Sequence, residues 1–167
     1  LTNVDPNHLS SVLDKLSQAG CSLSTTKNSI TINKCDLLRP VDVNTDVYPG
    51  FATDLQAQWI ALMSISDGAS VITDNIYHDR FSHVPELNRL GANISTENNS
   101  AFVNGVKELK GAQVMSTDIR ASASLVIAGL IAKGKTEISR VYHIDRGYER
   151  IEEKFHSLGG SIYREKN

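Results

Sequence analysis

Apolar residues recur along this chain with two periods, and their alternation lays out the elements. Leu9, Val12, Leu13 and Leu16 fall at i, i+3, i+4 and i+7, and Ile151, Phe155 and Leu158 at i, i+4 and i+7. That is the stripe of a helix with one face on a core. The stretch VPELNRLGANI (84–94) has the same character. Gly20, Gly91 and Gly159 follow these three stretches, and glycine takes the left-handed turn that ends a helix at no steric cost. A hairpin-like pair is expected after each, as in NISTENNSAFVNG (93–105). LQAQWIALMSI (55–65) and ASASLVIAGLIA (121–132) differ in being apolar nearly all round. Helices of that kind are interior, and these fall short of the ~20 residues that span a bilayer. The pattern predicts buried helices surrounded by sheets, with the amphipathic helices outside.

The elements repeat. TDLQAQ (53–58) and TDIRAS (117–122) agree at Thr, Asp, a branched apolar residue and Ala. SDGASVITDNIYH (66–78) and AKGKTEISRVYH (132–143) agree in their Gly, their β-branched alternation and their Tyr-His ending. Tyr-His-(x)-Asp-Arg is written twice, ending at Arg80 and at Arg146. Repeats of this length mean one supersecondary unit used several times. The expected units are roughly 1–47, 48–111 and 112–167. Three outer helices are visible but only two interior ones, so a third interior helix is expected upstream of residue 1 and the domain is expected to be incomplete.

Composition narrows the setting. The chain has 167 residues, 40% hydrophobic and 22% charged, with a net charge of −2, as in a soluble globular domain or part of one. Such a balance gives no reason to propose a nucleic-acid or acidic-membrane partner. No basic segment followed by an apolar run marks a signal peptide. Cys21 and Cys35 make neither a metal spacing nor a disulfide framework and read as small, buried or half-buried residues in a reducing compartment.

The candidate chemistry sits at the repeated positions. Asp54 and Asp118 open the two interior helices. Each reads as a cap or first-turn acid, or as a carboxylate facing a cleft, where one could serve as a general base. Arg80 and Arg146 are expected after equivalent strands, and Arg120 lies one turn into an interior helix, where an unpaired guanidinium would be costly. Converging arginines make a fork for carboxylate or phosphate. His78 and His143 read as structural and do not make a metal site without further ligands. His83 and His156 are expected on the surface. Tyr77, Tyr142 and Trp59 are expected in the core or at its margin. No phosphate-binding glycine loop or nucleophile elbow is present.

At PGFATDLQAQ, GAQVMSTDIRASASLVIAGLIAKGKTEI and HIDRGYERIEEKFHSLGGSIYR the chain resembles the enolpyruvyl transferase family. It resembles in particular the C-terminal part of the UDP-N-acetylglucosamine 1-carboxyvinyltransferases, from about Asp5 onward. The resemblance implies an α/β (α+β) fold of βαβαββ units forming an inside-out α/β barrel domain around central helices. It implies a bacterial cytoplasmic enzyme of peptidoglycan synthesis that needs no metal or cofactor. Such an enzyme would move the enolpyruvyl group of phosphoenolpyruvate to the 3′-hydroxyl of UDP-N-acetylglucosamine and release phosphate, through addition and elimination. The site would lie between this domain and an N-terminal domain of the same protein.

By motif, Asp54 resembles the family's candidate base. Asp118 and Arg120 resemble its cleft residues. Arg80 and Arg146 resemble its phosphoenolpyruvate-binding groups, and the backbone near Ile76 resembles a nucleotide-sugar contact. The family commonly reads Glu-Asn-Arg-Phe where this chain has His78-Asp79-Arg80-Phe81. Neither cysteine matches the family's reactive cysteine, which belongs to the other domain. Two further readings stand beside this one: the sister transferase acting on shikimate 3-phosphate, and a non-catalytic repeat module that binds a sugar nucleotide or a protein partner.

Overall fold

A computed structural model describes residues 1–165, so the last two positions of the third expected unit, 166 and 167, lie outside the described residues. Asp5 caps a 3-10 turn over Pro6–Leu9 by accepting from the Asn7 N–H at 3.0 Å, and the turn runs into α1 (Ser10–Gln18). Gly20 then takes φ 97°, as the stop signal required. An antiparallel hairpin follows, β1 (Leu23–Thr25) with β2 (Ile30–Ile32).

The middle of the chain forms one βαβαββ unit. Its elements are β3 (Val43–Asn44), α2 (Gln56–Met63), β4 (Ala69–Thr73), α3 (Val84–Arg89), β5 (Asn93–Glu97) and β6 (Ser100–Asn104). The four strands lie in the order β3-β4-β6-β5. β3 and β4 run parallel around the α2 crossover, and the other two pairings are antiparallel. β3, upstream of the expected boundary at 47/48, thus pairs with β4. A second crossover follows, with β7 (Gln113–Met115), α4 (Ile119–Ile131) and a parallel β8 (Glu137–Ser139). α5 (Tyr142–Asp145) and α6 (Ile151–Ser157) close the described chain.

The core forms where α2 and α4 pack on each other. Ala57, Ile60, Met63, Leu125 and Ala128 are at most 1% exposed there, as expected for helices without a polar face. Val43, Ile72, Ala101 and Val103 of the sheet close over them. Full burial of the Ile, Leu, Met and Val side chains among them contributes ~1.5–3 kcal/mol each. α1 and α3 lie outside, and Leu9, Val12, Leu13 and Leu16 are half-buried. No described helix is long and apolar enough to cross a membrane.

The α6 region departs from expectation. Ile151 is buried against Val126 and Ile144, but Leu158 lies past the end of the helix and is 81% exposed. Among the described residues, no strand follows Gly159, so the third expected hairpin is not observed. Cys21 and Cys35 are half-buried free thiols.

Candidate active site at the starts of the interior helices

The two aspartates that open the interior helices do different things. Asp118 caps α4, with its Oδ1 accepting from the Arg120 and Ala121 N–H groups at 2.8 and 3.0 Å. Its Oδ2 accepts from the Ser82 hydroxyl at 3.1 Å. Burial pushes the Asp118 carboxyl up, but the two amides, the Ser82 hydroxyl and nearby His83 outweigh it and hold it below the usual carboxylate range. Asp54 lies in a 3-10 turn, Thr53–Leu55, ahead of α2 and caps nothing. Its side chain is 64% exposed and meets two cations, with Arg120 Nε at 2.5 Å and Arg80 Nη1 at 3.5 Å. The carboxylate from one interior helix thus pairs with a guanidinium from the other. Its hydrogen bond raises the Arg120 pKa further above its ordinary value.

Arg80 arrives from the loop after β4. Its guanidinium stacks on the Tyr77 ring, 3.8 Å from the centroid, and Nη1 donates to the Thr53 hydroxyl at 2.9 Å. The side chain is 17% exposed, against 35% for Arg120 and 64% for Asp54. Ile76, Tyr77, His78, Asp79, Arg80, Ser82 and Asp118 line an open cleft of about 500 Å³. Asp54 is joined to this lining by its bond to Arg80, and Arg120 by its bond to Asp54.

The loop carrying Ile76 and Arg80 is held by Asp74, which the sequence reading missed. Asp74 follows the last residue of β4 and is 0% exposed. Its Oδ1 accepts from the Thr45 hydroxyl at 2.7 Å and from the Ile76 and Tyr77 N–H groups at 3.0 and 2.9 Å. Its Oδ2 accepts from the Thr53 hydroxyl at 2.7 Å. Burial raises its pKa, yet the four donors together keep it below the ordinary value. A usable signal was present: an Asp directly after a β-branched strand, positioned to bond amides two and three residues on. The internal repeat concealed it, because Arg140 stands at the matching place after β8.

Of the residues named from sequence, Asp54, Ile76, Arg80, Asp118 and Arg120 come together here. Arg146 does not join their network. It follows α5 and is exposed, and no polar contact of its side chain is seen among the described residues. It does lie close in the fold, since neighbouring Gly147 packs on Ile119 so tightly that a Cβ there would sit 2.9 Å from Ile119 Cγ2. Arg80 and Arg146 both stand seven positions past a strand, at 73 to 80 and 139 to 146. The first is in an irregular loop and the second ends a helix, so equal spacing does not give equal surroundings.

Three other expectations are corrected. Tyr77 and Tyr142 are 55% and 54% exposed, not core residues; Tyr77 spends its ring face on Arg80 and Tyr142 on His143. Trp59 is buried and donates to the Val41 carbonyl at 3.2 Å. His83, expected on the surface, is 1% exposed, at the start of α3 with Phe81 beside it and the Asp118 charge nearby. Burial pushes its pKa down to about 4, with the Asp118 charge opposing. His78 is exposed at the cleft, and His156 is exposed on α6.

The family model described as EPSP synthase (3-phosphoshikimate 1-carboxyvinyltransferase) matches residues 1–155. A Chlorobium chlorochromatii protein named UDP-N-acetylglucosamine 1-carboxyvinyltransferase is 57% identical over 166 residues, 99% of this chain and 39% of that protein. One of the same name from Chloroherpeton thalassium is 57% identical over 165 residues, 99% of this chain and 38% of the other. The chain therefore spans about two fifths of the length of the curated relatives it matches. Among solved structures, the enolpyruvyl transferase NikO from Streptomyces tendae superposes with a TM-score of 0.84 at 27% identity, covering 93% of this chain and 36% of that one. EPSP synthase from Acinetobacter baumannii shares the fold at a TM-score of 0.56 and 17% identity, over 77% of this chain and 31% of that one.

Proposed function

Since this chain belongs to the EPSP synthase family of enolpyruvyl transferases, we propose that it forms one wall of the active site of a UDP-N-acetylglucosamine 1-carboxyvinyltransferase. The reaction is the transfer of an enolpyruvyl group from phosphoenolpyruvate to the 3′-hydroxyl of UDP-N-acetylglucosamine, with release of phosphate, a step of bacterial peptidoglycan synthesis in the cytoplasm. The opposing wall comes from an N-terminal domain of the full-length protein, and the chain alone does not turn over. The chain's span of about two fifths of its relatives supports that division.

The observation that carries the reading is the Asp54 carboxylate held between Arg120 and Arg80 at the cleft. Without substrate, the acid offsets one of the two guanidinium charges and leaves the cluster cationic. Phosphoenolpyruvate brings a carboxylate and a phosphate, either of which an arginine fork binds better than a single shared carboxylate. As the arginines turn to the substrate, Asp54 is released to accept the proton of the sugar hydroxyl. The sugar oxygen then bonds to the enol carbon that bears phosphate, and a proton adds at the methylene carbon. Loss of that proton expels phosphate and restores the double bond. Asp118 is unsuited to the base role because its carboxylate already serves two helix amides. Arg120 and Arg80 stabilise the charge that grows on carboxylate and phosphate in the tetrahedral intermediate. Arg146 supplies a further cation as the domains close and water leaves, and the Ile76 backbone supports the nucleotide sugar.

The family description favours a second acceptor, shikimate 3-phosphate, whereas the relatives at 57% identity carry the sugar-nucleotide name. The test is phosphate release by the full-length protein with each acceptor in turn. Release with UDP-N-acetylglucosamine, and its loss by orders of magnitude in Asp54→Asn with folding intact, is the expected result. Near-normal turnover by Asp54→Asn removes Asp54 as base, release only with shikimate 3-phosphate replaces the acceptor, and turnover by the 167-residue chain alone overturns the need for a second wall.

A further inference from the structure

We propose that Asp74 is a positioning residue that sets the hydrogen-bond polarity of the anion-binding arginine through the Thr53 hydroxyl, an inference that rests on the enolpyruvyl transfer reading above. The two carboxylate oxygens serve separate jobs. Oδ1 takes the Thr45 hydroxyl and the Ile76 and Tyr77 amides, which fixes the loop. Among the described residues, Oδ2 takes only the Thr53 hydroxyl, at 2.7 Å. A hydroxyl has one hydrogen. Because an ionised carboxylate can only accept, that hydrogen must point at Asp74, and the oxygen lone pairs are left to face Arg80 Nη1 at 2.9 Å. The guanidinium is therefore held by an acceptor whose direction a buried charge imposes. Asp74 is 0% exposed, and among the described residues its carboxylate is hydrogen-bonded by neutral donors alone. Thr45 repeats the device on the loop, donating to Oδ1 and accepting from the Asn75 N–H at 3.0 Å. Charge-assisted hydrogen bonds of this kind polarise one another along the chain.

Asp74→Asn separates the two jobs. Three donors meet at Oδ1, so the amide oxygen takes that place and the NH₂ group faces Thr53. The Thr53 hydroxyl must then accept from Asn, its hydrogen is freed from that partner, and a single lone pair is left for Arg80. The Arg80 bond to Thr53 loses the polarisation that the buried charge gave it, while the Ile76 loop keeps its anchor.

The experiment is steady-state kinetics of the full-length enzyme with both substrates varied, together with melting temperature. Asp74→Asn is expected to raise the KM for phosphoenolpyruvate at least about ten-fold and leave that for the sugar nucleotide within about two-fold. Thr53→Val reaches the same relay without touching the loop amides and is expected to give the same split, whereas Thr53→Ser keeps the hydroxyl and wild-type values. The double variant Asp74→Asn/Thr53→Val is expected to be no worse than either single change, as for two members of one network. If Asp74→Asn does not fold, Thr53→Val against Thr53→Ser decides alone. A lowered melting temperature with both KM values unchanged, or an equal rise in both, makes Asp74 a structural carboxylate and overturns the proposal. A wild type that releases no phosphate from phosphoenolpyruvate overturns the reaction itself, so the two failures are told apart by the wild-type control.

Discussion

Lowering the pH from 7 to 5 is expected to weaken this fold through His83. Its ring is 1% exposed, Nε2 has no hydrogen-bond partner among the described residues, and Phe81 lies beside it with ring centroids 6.4 Å apart. Protonation would place a cation in that space, opposed only in part by the Asp118 charge, so the folded pKa drops from 6.5 to about 4. The sign follows from proton counting. Between pH 6.5 and 4 the unfolded chain binds the proton and the folded chain does not, so stability is full above 6.5 and falls with pH. For a drop of that size the loss between pH 7 and 5 is roughly 2 kcal/mol. With a urea slope of about 2 kcal/mol/M, the unfolding midpoint moves down by about 1 M. Asp74 and Asp118 act in a different window. Their carboxyls are held low, so their contributions persist above the unfolded value of about 3.9 and are lost only as pH falls below it. The assay is urea unfolding of the 167-residue chain at pH 7, 6 and 5, beside His83→Gln, which cannot take the proton. A converging pair of stability curves as pH falls is expected. Parallel curves for wild type and His83→Gln from pH 7 to 5 would refute the argument.

Asp118→Ala removes an acceptor shared by two helix amides and Ser82; it should cost about 1–2 kcal/mol and lower the melting temperature by roughly 2–8 °C, with Asp118→Asn milder. A drop under about 1 °C by calorimetry would show that the cap is dispensable. Gly105→Ala would set a Cβ 1.8 Å from the Ser66 carbonyl oxygen, where backbone meets backbone, so a loss of at least roughly 2 kcal/mol is expected. A wild-type melting curve for that variant would contradict the close approach of the β6 end to the turn after α2.

What the sequence settled alone was local and periodic. The 3.6-residue stripes located α1, α3 and α6, the all-round apolar stretches located α2 and α4, and Gly20, Gly91 and Gly159, all now at positive φ, marked three helix ends. These depend on the steric preferences of neighbouring residues and on how much of a helix face must leave water, so they are written within a few turns of chain. The repeat and the family motifs also selected five residues that meet at one place.

Only the tertiary structure decided what those residues do there. Asp54 and Asp118 occupy matching positions in TDLQAQ and TDIRAS, yet one pairs with guanidiniums and the other caps a helix. Arg80 and Arg146 have matching spacing, yet one is shielded and stacked while the other is exposed. His83 and Tyr77 exchanged their expected places inside and outside. Some of the deciding partners lie 20 to 90 positions away, such as Thr53 for Asp74, Arg120 for Asp54 and Tyr148 for Gln58. Charge and hydrogen-bond energies depend on distance and on exclusion of water, and those are set when the two interior helices and the sheet pack together, not by the order of residues along either one.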